Sequence, residues 1–313
     1  MKPNYVEETI AINGIEEYMI HYQGEMVAPV VLFLHGGPGS SESIFAYYIE
    51  SGWTGNYTSV YYDQRGAGKT YYMNKDAIPT MDILKEDLLQ TVLYVKGKYQ
   101  KEKIVILGHS FGTVLGSMFA MEHPEHVLCY IGMGQVIDNM ENETVGYIKL
   151  REAIEGSRNE KDKKKLVAIG AYPPKSDDQA LVKKMNALQK MQGKYKLGMK
   201  IDWHLIKLML KSPVVGWPEI SGQISGMKVN DGVFREFWDY SLYVYNSQYD
   251  VPVYYILGEN DNQTPTEIAV KYFETIIAPE KKLYLIKNAG HMTMLDNLED
   301  YQIALKDVLD RNS

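Results

Sequence analysis

The spacing of apolar and polar positions along this 313-residue chain changes three times, and each regime predicts a different kind of element. Residues Val6 to Tyr22 alternate apolar and polar about Asn13-Gly14, the pattern of a hairpin closed by a two-residue turn. Short unbroken apolar runs follow at Pro29 to Leu34, Ser59 to Tyr62, Val105 to Leu107 and Val127 to Met133, as expected for strands covered on both faces. Helical periods lie between them, notably Met81 to Tyr99 with Thr80 as N-cap behind Pro79, and Thr113 to Met121. Strands alternating with helices predict a parallel sheet of right-handed crossovers, whose functional groups gather at the carboxyl ends of the strands.

From about Gln135 the strand signal stops. Residues 138–247 are amphipathic, rich in Lys and Met, and broken at Tyr172-Pro173-Pro174 and Ser212-Pro213. They predict a mainly helical cap inserted over the strand ends, between core segments 1–137 and 248–313. Apolar runs resume at Val253 to Leu257 and Lys282 to Ile286, and a closing helix is expected from Leu298 to Leu309.

Composition removes several function classes. A net charge of -7 offers no basic face for a nucleic acid, and the run Lys161 to Lys165 reads as a solvated helix face. The single cysteine, Cys129, excludes an internal disulfide and sits in an apolar run that suggests buried packing. The first eight residues carry no apolar leader, and no apolar run approaches the roughly 18 residues of a membrane span. The expectation is a cytoplasmic protein with no membrane partner.

The chemistry concentrates at Gly108-His109-Ser110-Phe111-Gly112, a glycine-flanked turn between a strand and a helix that would raise Ser110 as a nucleophile. A serine hydroxyl needs a base, an orienting acid and donors for the oxyanion. Asp261 and His291 each follow a predicted strand, in the chain order Ser, Asp, His that such sheets use. Of the seven histidines, His21, His123, His126 and His204 lie away from strand ends, and His35 and His109 sit in motifs where they would support loops. Asp138, after the strand that follows the elbow, is the rival acid. The oxyanion would take the N–H of Phe111 and one from the glycine loop, most simply Gly37. No metal or organic cofactor is implied.

Taken together, His35-Gly36-Gly37-Pro38-Gly39, Asp63-Gln64-Arg65-Gly66-Ala67-Gly68, the elbow, Gly258-Glu259-Asn260-Asp261 and Gly290-His291 resemble the proline iminopeptidase branch of the α/β-hydrolase superfamily. The resemblance covers roughly residues 5–137 and 248–311. It implies the α/β-hydrolase fold, a mostly parallel sheet flanked by helices, and a serine aminopeptidase that releases an N-terminal residue, often proline, from a short peptide beneath a helical cap. Ser110, Asp261 and His291 take the triad positions and Gly37 and Phe111 the oxyanion hole. Two departures stand out: Phe111 where many members have Trp, and Asn262 where some have an acid. Carboxylates for a substrate ammonium would then come from the cap, where Glu141, Glu143, Glu152, Glu219 and Glu236 are available, with Glu219 and Glu236 as the first candidates. An esterase, lactonase or other amidase with the same triad is the alternative, and a non-catalytic ligand-binding protein is the third.

Overall fold

In the computed structural model the N-terminal alternation closes as the expected hairpin, β1 (Val6–Ile12) against β2 (Ile15–Tyr22), with Asn13 and Gly14 at φ 42° and 81°. Positive φ at both central residues is what a tight hairpin turn with right-handed strand twist demands. The structure describes residues 5–52, 54–198, 203–245 and 247–312, so short parts of the expected core and cap segments lie outside the described residues. The chain continues as β3 (Val30–Leu34), α1 (Ala46–Ile49), β4 (Thr58–Tyr62), α2 (Gly68–Met73), α3 (Met81–Tyr99), β5 (Ile104–His109), α4 (Phe111–Glu122) and β6 (Val127–Met133). Helices α5 (Asn139–Ser157), α6 (Glu160–Ile169), α7 (Leu181–Lys194), α8 (Trp203–Lys211), α9 (Trp217–Val229) and α10 (Asp231–Phe237) follow. The core resumes with β7 (Val253–Gly258), α11 (Thr266–Thr275), β8 (Lys281–Ile286), α12 (Thr293–Asp296) and α13 (Leu298–Arg311).

All eight strands form one sheet in the order β1-β2-β4-β3-β5-β6-β7-β8. β2 meets both β1 and β4 antiparallel, and every later pairing is parallel. The apolar runs are unbroken because both faces are covered. Leu32, Ile106, Tyr130 and Tyr255 point to the side of α3, α4 and α11, where Leu88, Leu115 and Tyr272 meet them. Their neighbours Phe33, Leu107, Ile131 and Ile256 point to the side of α1 and α13, against Ile49, Tyr301 and Leu305. Cys129 belongs to that second layer, and burial pushes its thiol well above the ordinary range, consistent with a packing role. The helices between β6 and β7 add a small core of their own, Leu150, Ile154, Leu166, Leu188 and Met191, shared by α5, α6 and α7.

Helix α3 begins as its sequence predicts, with the Thr80 hydroxyl accepting the Ile83 N–H at 3.3 Å. Helix α4 starts at Phe111, two residues before the apolar period suggests, because Ser110 alone makes the turn out of β5.

One core carboxyl makes the fold sensitive to pH. Glu17 on β2 is fully buried, and its Oε2 accepts the Thr91 hydroxyl at 3.1 Å. Burial, aided by the nearby charge of Asp87, raises its pKa to about 8. A folded-state pKa above the unfolded one means the native protein binds the extra proton, so stability falls as pH rises from about 4.5 to about 8. The slope approaches about 1.4 kcal/mol per pH unit. Glu17→Gln replaces the neutral acid with a neutral isostere and should remove that slope. Denaturant melts of both proteins at pH 5 and pH 8 check it, and parallel pH profiles would count against the assignment.

Candidate active site

The sharp turn between β5 and α4 is built on close backbone approach. A Cβ on Gly112 would lie 2.0 Å from the Leu34 carbonyl oxygen, and one on Gly108 would lie 2.5 Å from the Gly112 oxygen. Only glycine fits at either point, so the chain turns hard at Ser110, which sits at φ 52°, ψ -121°. A non-glycine residue there stores about 1–3 kcal/mol of strain, a feature typical of functional positions. The Ser110 N–H donates to the Met133 carbonyl at 3.0 Å, tying the elbow to the end of β6. Ser110 is half-buried while its neighbours on either side are buried.

His291 and Asp261 arrive from the loops after β8 and β7. His291 Nδ1 lies 2.8 Å from Asp261 Oδ2. The remaining capacity of the carboxylate is filled by the N–H groups of Gln263 (2.8 Å) and Thr264 (3.1 Å) on Oδ1 and by the Thr264 hydroxyl (2.8 Å) on Oδ2. Burial alone would raise the Asp261 pKa; attraction to His291 and the bonds from His291 and Thr264 hold it below the usual range instead. An ionised carboxylate only accepts, so His291 Nδ1 carries a proton. The imidazole rests on Gly134, the residue after β6: a Cβ there would lie 2.9 Å from His291 Cε1 and 3.0 Å from Nδ1. Ser110 and His291 therefore flank the same residue pair, Met133-Gly134. Asp138, the rival acid, instead caps α5, with its Oδ1 accepting the Glu141 N–H at 2.7 Å.

The two glycine-containing loops are clamped to each other beside the elbow. His35 donates from Nδ1 to the Gly36 carbonyl (2.8 Å) and accepts the Gln64 N–H on Nε2 (3.0 Å). The ring is thus neutral, in keeping with the downward pull of burial on its pKa. Asp63 accepts the hydroxyls of Ser41 and Ser43 and the Lys69 N–H, and Arg65 makes a buried two-point pair with Asp87 at 2.7 and 3.1 Å. Gly37, at φ 117°, has no room for a side chain, since a Cβ would lie 2.5 Å from the Gly39 nitrogen. Phe111 opens α4, so its N–H is one of the helix's unpaired donors. Its buried ring meets Phe237 of α10 edge-on at 5.5 Å.

Helix α9 covers these loops directly. A Cβ on Gly226 would lie 2.0 Å from the Gly39 oxygen, one on Gly222 would lie 2.4 Å from the Gly68 oxygen, and Asn230 donates to the Gly66 carbonyl at 3.0 Å. Glu219, expected to face a substrate, is buried instead in this contact: Oε1 pairs with Lys69 at 2.8 Å and Oε2 accepts the Gly216 N–H at 2.9 Å. Glu236 is exposed and caps α3, accepting the Met81 N–H at 2.9 Å. Both carboxylates hold the helical segment to the core. Lys149 of α5 reaches Asn262, beside Asp261, at 3.0 Å, which lays that helix across the β7 end. A cavity of ≈ 250 Å³ opens beside His291, lined by Lys196, Asn260, Asn262, Asn288 and Asp296 among others.

Sequence reasoning does not single out Thr264, Gly134 or Glu42, whose carboxylate lies 2.5 Å from His109 Nδ1. Thr264 had a local signal, as the fourth residue of an Asp-Asn-Gln-Thr turn. The other two touch the site only through tertiary contacts.

A family model described as the alpha/beta hydrolase fold matches residues 29–153. The Bacillus subtilis protein named "Probable aminopeptidase YbaC" is 24% identical over 287 residues, covering 91% of this chain and 87% of that protein. The proline iminopeptidase of Saccharolobus solfataricus is 26% identical over 313 residues, covering 96% and 91% respectively. Among solved structures, a proline iminopeptidase-related protein from Thermus thermophilus superposes with a TM-score of 0.68 at 19% identity, over 98% of this chain and 97% of that one. At that identity the structural likeness speaks to the fold.

Gly134 offers a direct test of the site's geometry. In Gly134→Ala the backbone at φ 51° costs about 1–2 kcal/mol, which the fold should survive, and the new methyl group meets the His291 ring, so the imidazole should move by several tenths of an ångström. Misplacement of that order costs up to ~10²-fold in turnover. Activity at unchanged secondary structure is the readout, and wild-type turnover would mean that the His291 ring is not the working base.

Proposed function

For this chain, an α/β hydrolase by fold that resembles the proline iminopeptidase branch, we propose a serine hydrolase that releases the N-terminal residue of short peptides. The observation that carries the reading is the Asp261–His291 pair at 2.8 Å, set against Gly134 beside the strained Ser110 turn. In this reading His291 Nε2 takes the Ser110 proton as Oγ attacks the scissile carbonyl, and the N–H groups of Phe111 and Gly37 receive the oxyanion. Collapse of the tetrahedral intermediate breaks the C–N bond, and the imidazolium gives its proton to the leaving amine. Water, activated by the same nitrogen, then hydrolyses the acyl-enzyme. Asp261 keeps the tautomer that makes both transfers possible. Residues 138–247 act as a cap, with α9 seated on the glycine loops and α5 across the β7 end.

Replacing Ser110 by Ala should lower kcat by up to ~10⁶, by analogy with triad deletions in serine proteases. Asp261→Asn should cost on the order of 10⁴. A Ser110→Ala protein that still turns over substrate at the wild-type rate would remove the serine mechanism.

An aminopeptidase needs a carboxylate for the substrate ammonium, and with Glu219 and Glu236 engaged elsewhere the best-suited group is Glu143. It is half-buried on α5, takes a hydrogen bond from the Tyr172 hydroxyl, and is raised by burial to about 7. Only the ionised form attracts an ammonium, so KM for aminoacyl substrates should rise as pH falls below about 7. In Glu143→Gln that dependence should vanish and KM should rise throughout, with kcat less affected. Steady-state kinetics on prolyl and alanyl p-nitroanilides across pH 5.5–8.5 provide the measurement.

The engagement of Glu219 and Glu236 also favours a second reading, in which the acyl group carries no ammonium and the substrate is an ester, lactone or other amide. A panel separates the two. Turnover of p-nitrophenyl esters together with N-acetylated amides, but not of free aminoacyl amides, would support the second reading and sink the first.

A further inference from the structure

His109, the residue before the candidate nucleophile, is buried between two hydrogen-bond acceptors. Its Nε2 lies 2.9 Å from the main-chain oxygen of His291, and its Nδ1 lies 2.5 Å from Glu42 Oε1. A peptide oxygen cannot donate, so Nε2 must carry a proton. At 2.5 Å an imidazole lone pair and a carboxylate lone pair would repel, so a second proton lies between Nδ1 and Oε1 as well. Whichever atom owns it, the two side chains together hold one shared proton and no net charge.

We propose that Glu42 and His109 form a second carboxylate–imidazole couple, which positions the catalytic base through its main chain while Asp261 positions it through its ring. The inference rests on the reading of His291 as that base. The geometry joins the three segments whose relative placement decides catalysis. His109 ends β5, next to Ser110; its Nε2 holds the loop that carries His291, and the two rings lie 4.9 Å apart. Glu42 follows the glycine loop, and a Cβ on Gly36 would lie 3.5 Å from Glu42 Oε1 and 3.0 Å from Ser110 Cβ. Nucleophile strand, base loop and oxyanion loop thus meet at one imidazole.

The couple also has an electrostatic consequence. The titratable groups facing His109 are Glu42, Asp261, His35 and His291. Burial by itself would lower the His109 pKa, but the Glu42 charge and hydrogen bond, the His291 carbonyl and Asp261 raise it above the ordinary value. When alkali finally removes the shared proton, a lone pair faces a negative oxygen, the Nδ1 contact opens and the grip on the His291 carbonyl loosens. The couple therefore contributes its own fall of kcat on the alkaline side.

The test compares wild type with Glu42→Gln, in which an amide N–H can donate to Nδ1 and nothing titrates. Low-field proton NMR of the wild type should show, among its buried imidazole N–H signals, one from the proton held against Asp261 and one from the proton held against Glu42; Asp261→Asn should remove the first and Glu42→Gln the second. With the best aminoacyl or ester substrate, Glu42→Gln should lower kcat about five-fold at pH 7, leave KM within two-fold, and lose the alkaline fall. His109→Ala should lower kcat ~10²-fold with KM little changed, and His109→Gln, whose amide can still donate to the His291 carbonyl, should recover part of it. If Glu42→Gln does not fold, as judged by circular dichroism, His109→Gln carries the same readouts. Superimposable pH profiles, or a wild-type spectrum that Glu42→Gln leaves unchanged, would overturn the proposal. Activity surviving in Ser110→Ala would instead overturn the serine mechanism, while the NMR signals would still report the couple without any turnover.

Discussion

Close backbone contact at the β5–α4 elbow is the constraint that the rest of the site depends on. Because Gly112 lies against the Leu34 carbonyl and Gly108 against Gly112, helix α4 enters the sheet at a distance that no side chain permits. The turn must then be completed within one residue, and Ser110 takes the strained dihedrals. Its hydroxyl is consequently presented at the carboxyl edge of a parallel sheet, where the loops after β3, β4, β6, β7 and β8 also emerge. Everything else that bears on chemistry is a matter of bringing those loops to that one point.

The loops are held by buried polar contacts that are almost entirely satisfied. Asp63, Gln64 and Arg65 look like a chemical motif in the sequence, yet each is occupied in joining segments of the fold: Asp63 to Ser41 and Ser43, Gln64 to His35, Arg65 to Asp87 of α3. Low local dielectric makes such bonds strong when complete and costly when broken, so they fix the glycine loop after β3 in place. The glycines beside them serve a further purpose. Gly39 and Gly68 form the floor on which Gly226 and Gly222 of α9 rest, so they seat the helical segment.

That seating occupies carboxylates of the 138–247 segment. Carboxylates in the 138–247 segment are numerous, but Glu219 and Glu236 are engaged at the interface with the core. Glu143 differs because burial keeps its proton near neutrality and a tyrosine hydroxyl orients it. A carboxyl of that kind responds to any charge brought near it, whereas one already paired with lysine does not.

The sequence by itself determined the elements whose signals are local. Alternation about Asn13-Gly14, unbroken apolar runs, the Thr80 cap and the glycine-flanked serine each depend on neighbours within a few residues, and β1 to β8, α3 and the elbow follow from them. The order Ser110, Asp261, His291 was legible for the same reason, since each follows its own strand. Tertiary structure alone decided the contacts between residues far apart in the chain. Glu42 and His109 are separated by 67 positions, Lys69 of α2 meets Glu219 of α9, and Gly134 meets His291 across the sheet edge. A carboxylate on a helix has the same local pattern whether it faces a substrate, a lysine or water. Which of these it meets is set by how helices dock, and docking is a property of summed packing over distant segments rather than of any short stretch of sequence.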